Sequence, residues 1–263
     1  MLIGIKGAGD IASGIALRLY RAGMTPIMTE LPEPSSIRRT VCFSEAVRLG
    51  ETTVEGVRAV RCESAEEALR LTRDGTIPVL CDPTAAILQA LRVDAEVDAI
   101  LAKVNTGTAI TDAPIVVAVG PGFTAGVDCH AVVETMRGHT LGRVIREGSA
   151  LPNTGIPGDI AGFGAERVIH SECAGVFHAL HEIGDRVEAG EILATVDGKP
   201  LRAKIAGTVR GLLQDGFFVP RAHFKSGDVD PRCELSHCYT ASDKALAVGG
   251  GVLEAILALS CGR

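Results

Sequence analysis

The sequence predicts an α/β protein, a Rossmann-like parallel sheet that carries a β-rich, barrel-sandwich insertion of the biotinyl or lipoyl kind. Three observations lead there. The chain opens on a strand, a glycine turn, a helix and a second strand. Short apolar runs then alternate with helical patterns as far as Val119. From residue 166 the pattern becomes short β segments parted by glycine turns, until a helical pattern returns at Ser242. Strands alternating with helices indicate a parallel sheet covered on both faces.

Leu2, Ile3 and Ile5 make the first strand, and Gly7-Ala8-Gly9 turns the chain. Asp10 or Ser13 opens a helix whose Ile11, Ile15 and Leu19 recur at helical spacing. Gly23 then caps it, and Pro26–Glu30 is the second strand. Gly7 permits the tight turn, Gly9 lets a phosphate approach the backbone, and Ala12 lets helix and strand pack closely. Asp10 stands at the helix start, whose free N–H groups and positive end favour an anion. Glu30 ends the second strand about 20 residues on, where an acid commonly bonds a ribose hydroxyl. The expected ligand is a nucleotide, NAD-like or ATP-like.

A proline-rich loop with Arg38-Arg39 follows, then one helical turn within 44–50. Val57–Cys62 is a third strand, Ala65–Thr72 a helix, Ile77–Cys81 a fourth strand and Thr84–Leu91 a helix. Val97–Ala102 and Pro114–Val119 are the fifth and sixth strands. Ligands of open parallel sheets lie outside the carboxyl ends of the strands. The loops after the fifth and sixth strands therefore supply the candidate chemistry. Lys103 and Asn105 offer a cation and an amide for an anionic group. The glycine-rich run 120–126, with Gly120 and Gly122, is a second backbone anion cradle. His130 and Glu134, four apart, would share one face of a helix, as an imidazole with an orienting carboxylate. Arg38 and Arg39 stand where a phosphate next to Glu30 could be met.

Gly148–Gly164 is rich in glycine and proline and reads as a hinge, lid or domain junction. The β-rich run beyond it contains G-D-R-V-E-A-G-E-I-L, which resembles biotinyl and lipoyl domains. Lys199 sits at the turn where those domains carry their cofactor. It lacks the flanking methionines, so no covalent biotin or lipoate is expected. Gly249-Gly250-Gly251 inside the final helical pattern is costly for a helix; close packing is the expected reason, ahead of a break or a second backbone anion site at the start of the last helix. The expected division is 1–165 for the nucleotide-binding domain, 166–235 for the β domain, and 236–263 for a helix returning to the first.

Net charge is −6 and only nine residues are aromatic (seven Phe, two Tyr), which disfavours nucleic-acid binding. No apolar run reaches membrane-spanning length, and the first strand and turn use up the apolar N-terminus, so neither a membrane span nor a signal peptide is expected. The eight cysteines are scattered without a C-x-x-C, as in a reducing cytoplasm. Cys233 and Cys238 around His237 lack zinc spacing, and no metal is expected. A homo-oligomer is compatible with all of this.

Several long motifs resemble the YqeB-type proteins of the selenium-dependent molybdenum hydroxylase system. They are G-A-G-D-I-A-S-G-I-A-L-R-L, T-E-L-P-E-P-S-S-I-R-R-T-V-C-F-S-E-A-V, D-A-I-L-A-K-V-N-T-G-T, V-G-P-G-F-T-A-G-V-D-C-H and D-K-A-L-A-V-G-G-G-V-L-E-A-I-L. The resemblance covers nearly the whole chain. It implies a role in maturing, or supplying selenium to, molybdenum hydroxylases of the xanthine dehydrogenase kind. The implied partners are the hydroxylase or its cofactor-maturation proteins. It assigns a system and no reaction. Three readings stand open: a nucleotide-using accessory protein, an NAD(P)-dependent oxidoreductase acting on a small acid, and a non-catalytic scaffold.

Overall fold

The computed structural model describes residues 1–262. It divides into two units. The first holds Met1–Pro34, Cys42–Thr154 and the chain from Ala241 onward; the second holds Ser35–Val41 and Gly155–Thr240.

The first unit is the α/β part. In chain order it contains β1 (Leu2–Lys6), α1 (Asp10–Arg21), β2 (Thr25–Glu30), α2 (Glu45–Leu49), β3 (Glu51–Val54), β4 (Val57–Cys62) and α3 (Ala65–Arg73). Next come β5 (Ile77–Cys81), α4 (Ala86–Leu91), β6 (Ala95–Asp98), β7 (Val116–Val119), β8 (Ala131–Val133) and β9 (Val144–Ile145). The sheet order is β3-β4-β5-β2-β1-β6-β7-β8-β9. The seven strands from β4 to β8 run parallel, while β3 and β9 are antiparallel edges. The short edge β3 leads into a hairpin turn at Glu55-Gly56 that the apolar pattern did not reveal. From β1 the chain moves to one side of the sheet, and β6 opens the other side. The switch point of this Rossmann-like sheet therefore lies between β1 and β6.

Two expectations are corrected here. The fifth strand ends at Asp98, not Ala102, so Lys103 and Asn105 lie in coil well past its end. His130 and Glu134 flank strand β8; they do not sit on a helix. The run A-V-V is β-branched and buried on both faces, so it joins the sheet. Four residues of strand hold their Cα atoms about 13 Å apart.

No helix covers the crossovers from β6 to β7 or from β7 to β8. A later helix of the chain, Asp243–Ser260, supplies that cover, packing on α1, β7, β8 and β9. The approach is close enough to require glycine. A Cβ on Gly14 would lie 2.5 Å from the Ala245 Cβ, and one on Gly249 would lie 3.0 Å from the Gly14 carbonyl. At Gly251 it would run into the Gly142 carbonyl oxygen. Gly249 and Gly251 are thus packing residues.

The second unit is the β-rich insertion. It contains a 3-10 turn at Arg39–Val41, another at Ala165–Arg167, then β10 (Val168–His170), β11 (Gly175–Ala179), β12 (Arg186–Val187) and β13 (Ile192–Val196). After these come β14 (Lys199–Arg202), β15 (Gly207–Leu212), β16 (Phe218–Val219), β17 (Lys225–Asp230) and α5 (Ser236–Tyr239). The helix Asp243–Ser260 is accordingly α6. Two antiparallel sheets, β10-β17-β15-β12 and β14-β13-β11-β16, enclose a core that includes Phe177, Leu193, Val196, Val209 and Val229. Asp228 and Asp230 of β17 are buried. Asp228 accepts from Arg210 at 2.8 Å and from Arg167, and Asp230 accepts from Arg232 at 2.6 Å.

Candidate functional site at the sheet switch point

The glycine turn is fixed from several directions. Gly7 takes a φ of +90°, and its N–H donates to the Thr29 carbonyl at 2.9 Å. A Cβ there would lie 3.2 Å from the Ala99 carbonyl oxygen, so conformation and space both demand glycine. The Ala8 N–H donates to Glu30 Oε2 at 2.9 Å, and the Ala8 carbonyl accepts from Ser13 Oγ at 3.0 Å and from the Ser44 N–H at 2.9 Å. Ser13 Oγ in turn accepts from the Phe43 N–H at 2.8 Å. Gly9 is the N-cap of α1 and supplies no side-chain cap. Ala12 is buried, as close helix–strand packing requires. Asp10 puts a carboxylate in the first turn of the helix.

Glu30 therefore stands where the motif places it, with its carboxylate holding the turn itself. Its second oxygen accepts from the Leu31 N–H at 2.8 Å. Burial pushes the Glu30 pKa up, against the opposing pull of these two N–H groups.

Directly beneath the turn is a buried ionic cluster that the sequence did not announce. β1 and β6 are neighbours in register, Lys6 opposite Asp98. Lys6 Nζ lies 2.7 Å from Glu96 Oε1 and 3.3 Å from Asp112 Oδ2, and donates to Thr108 Oγ1 at 2.9 Å. Thr108 Oγ1 donates onward to Asp98 Oδ2 at 2.6 Å. Lys6, Glu96, Asp98 and Thr108 are all buried. One ammonium is set among three carboxyl groups. Burial pushes Glu96 up, and Lys6 offsets only part of that. For Lys6, burial pulls the pKa down, but Glu96 and Asp112 outweigh it and the net direction is upward. Perturbed, paired groups at the carboxyl ends of strands mark a functional-site candidate. One signal was available in E-V-D: residues two apart on a strand share a face. Thr108 and Asp112 come from coil that no period marks.

The other expected residues divide into two sets. The 120–126 loop meets the coil after β6: a Cβ on Gly122 would lie 2.8 Å from the Lys103 carbonyl carbon. Lys103 is exposed with a φ of +67°. Asn105 builds its own turn, donating to the Thr108 carbonyl and accepting from the Gly107 and Thr108 N–H groups, each at 2.8 Å. The loop's amides are largely used internally. Gly120 donates to Val133 at 2.9 Å, Ala125 to Gly148 at 2.8 Å and Thr124 to Asp128 at 2.7 Å. Gly120 and Gly122 thus serve loop packing, and the N–H groups of Gly120, Thr124, Ala125 and Gly126 are committed within the protein.

His130 and Glu134 do not meet. His130 Nδ1 accepts from the Val116 N–H at 2.9 Å, which leaves the ring proton on Nε2. Glu134 is buried and accepts from the N–H groups of Thr135, Met136 and Leu151 at 2.7, 2.7 and 2.8 Å. Arg38 and Arg39 belong to the β-rich unit, and both are occupied there. Arg38 is buried and donates to the His237 and Thr240 carbonyls at 2.9 and 3.1 Å, and Arg39 donates to the Leu212 carbonyl at 2.9 Å. Among the described residues no three His, Cys, Asp or Glu gather to hold a metal ion, and no helix is long and apolar enough to cross a membrane.

No family model matches the chain. It is 52% identical over 258 residues to the uncharacterized protein YqeB of Escherichia coli (strain K12). The match takes in 98% of this chain and 48% of that protein, so the chain spans about half the length of this relative. Solved structures give much weaker likenesses. An aspartoacylase family protein from Mesorhizobium loti aligns at 12% identity over 87% of this chain and 83% of its own, with a TM-score of 0.27. The product-bound ectoine utilization protein EutE (DoeB) from Ruegeria pomeroyi aligns at 25% identity over 33% of this chain and 26% of its own, with a TM-score of 0.17. Scores that low carry no argument about fold or activity. The likeness that stands is to YqeB, across nearly all of this chain.

Proposed function

We propose that this protein is a nucleotide-binding accessory factor of the selenium-dependent molybdenum hydroxylase system, with its ligand at the glycine turn between β1 and α1. The observation that carries the nucleotide reading is the coincidence of three features at one place. The strand order reverses between β1 and β6, the Gly7-Ala8-Gly9 turn lies at that reversal, and α1 starts there without a side-chain cap. A nucleotide's anionic group fits the start of α1. The system assignment rests on the likeness to YqeB and on the motifs shared with that family. An accessory role in maturation, toward the hydroxylase or its cofactor-maturation proteins, follows from that system.

Glu30 favours a ligand with a free ribose hydroxyl. A 2′-phosphate would bring negative charge against a buried carboxylate that already holds the turn. The ligand is therefore NAD-like or ATP-like rather than NADP-like. The same feature supports a second reading, an NAD-dependent oxidoreductase acting on a small acid. Turnover of NADH with candidate acids separates the two.

The test is Gly9→Val. Gly9 has φ −71° and ψ −171°, an extended conformation that any residue adopts, so the fold should survive. The added side chain would stand where the anion binds. Calorimetry with NAD and ATP should show binding to the native chain and none to the variant. Equal binding by both would remove the turn as the site.

A further inference from the structure

We propose that the β-rich unit carries a second anion site, a basic cluster of His170, Lys204, His223 and Lys225 that takes the phosphate group of a small metabolite. The inference is independent of the nucleotide turn. His170 on β10 and Lys225 on β17 are directly paired across two antiparallel strands, and both are exposed.

The turn bearing His223 is pinned beside them by one buried serine. The Ser171 N–H donates to the Phe224 carbonyl at 2.9 Å, and its carbonyl accepts from the His223 N–H at 2.7 Å. Ser171 Oγ donates to the Arg221 carbonyl at 3.2 Å and accepts from the Phe224 N–H at 3.2 Å. His223 is held at a φ of +60°, which is uncommon for a residue with a side chain. A residue held in an uncommon backbone conformation beside basic side chains points to a ligand site. Lys204, exposed in the turn after β14, is near enough for its charge to act on His170.

The electrostatics agree with this geometry. Burial, then Lys204, Lys225 and His223, hold His170 below the usual histidine range. The acid near Lys204 is Glu166, whose carboxylate accepts from the Gly164 N–H at 3.0 Å. The Ser171 clamp fixes the backbone of the His223 turn in advance, which lowers the cost of ordering that turn around a compact oxyanion.

The experiment is a titration of the full chain with inorganic phosphate at constant ionic strength, followed by the imidazole C–H resonances. His170 and His223 should shift along a saturable curve, and His178 should not. Lys204→Gln with Lys225→Gln should weaken the binding about tenfold or more, with the fold retained. His223→Gly relieves the left-handed backbone, so it should raise Tm while weakening phosphate binding. Linear, unsaturable shifts, or binding unchanged in these variants, would overturn the site.

Discussion

Lys6 holds the buried cluster at the switch point, and Lys6→Met tests how much. Methionine keeps the length and apolar body of the side chain and removes the ammonium. Glu96 then loses its partner at 2.7 Å, Thr108 loses the donor at 2.9 Å, and Asp112 loses the cation at 3.3 Å. Glu96 and Asp98 are each 1% exposed, so solvent cannot replace the lysine. Breaking one side of a buried pair costs about 3–5 kcal/mol, against a total stability of about 5–15 kcal/mol for a typical domain. The variant should therefore be marginal, with the damage centred on β1 and β6.

The assay is hydrogen exchange on peptides from β1 and β6, with urea unfolding alongside. Exchange resolves the α/β unit from the β-rich unit, where a single global transition would mix them. Glu96→Gln in the Lys6→Met background should recover part of the loss, since the uncompensated charge is gone. pH adds a sign. The folded Glu96 holds its proton at higher pH than the unfolded chain does. Its linkage term favours the fold at acid pH and fades as pH rises past the ordinary carboxylate range. Lys6 is also raised, so its term is present through neutral pH and lost only at strongly alkaline pH. Removing Lys6 should thus hurt least near pH 5 and more at pH 8. A loss below about 1 kcal/mol at pH 8 would refute the reasoning, because that is the cost of a solvated pair.

Other outcomes follow from the same coordinates. Gly251→Ala gains up to about 1 kcal/mol of helix propensity but drives a methyl into the Gly142 carbonyl, so thermal unfolding should show a net loss of about 1–3 kcal/mol. A gain in Tm would mean that α6 is free to shift. Asp230 is held at about 2 by Arg232 and Arg210 despite its burial, which alone would raise it. Its stabilisation of about 2 kcal/mol is present above pH 4 and lost as pH falls toward 2. Asp230→Asn should flatten that acid limb; an unchanged acid limb in the variant would show that the pair does not hold the fold. Lys199 follows the Asp197-Gly198 turn at the start of β14 and should remain unmodified, with an intact mass equal to that of the bare chain. A mass gain on Lys199 from cells that attach biotin and lipoate would reverse that expectation.

What could be read from the residues divides along a physical line. The first half of the sheet was legible because its strands and helices alternate locally, each with its own period and punctuation. The second half was not, since helical cover of β7 to β9 comes from α6, at the far end of the chain. Without a local helix to expect, the spacing of His130 and Glu134 looked helical. In fact β-branched Val132 and Val133 stood between them. The triple glycine was read correctly at two of its positions, because a glycine inside an apolar helix needs a reason and close packing is the commonest one.

The site shows the same division at finer scale. The places of Gly7, Gly9 and Glu30 in the fold were legible because a turn and a strand end fix them in sequence. Their partners were not, since a hydrogen bond from Ala8 to Glu30 depends on how two strand ends meet in space. The same holds for Lys6. A lone lysine in an apolar strand is expected to reach solvent, and this one is buried because β6 brings Glu96 and Asp98 alongside it. The result bears directly on chemistry. A ligand at this turn meets a loop whose Ala8 amide is already committed, above a cluster with more carboxyl groups than cations. On the proposed reading, its anionic group would be held by the start of α1 and not by Ala8. Of the two ligand types proposed, an NAD-like one, with a single diphosphate and a cationic nicotinamide, suits that field better than an ATP-like one with charge spread along its triphosphate.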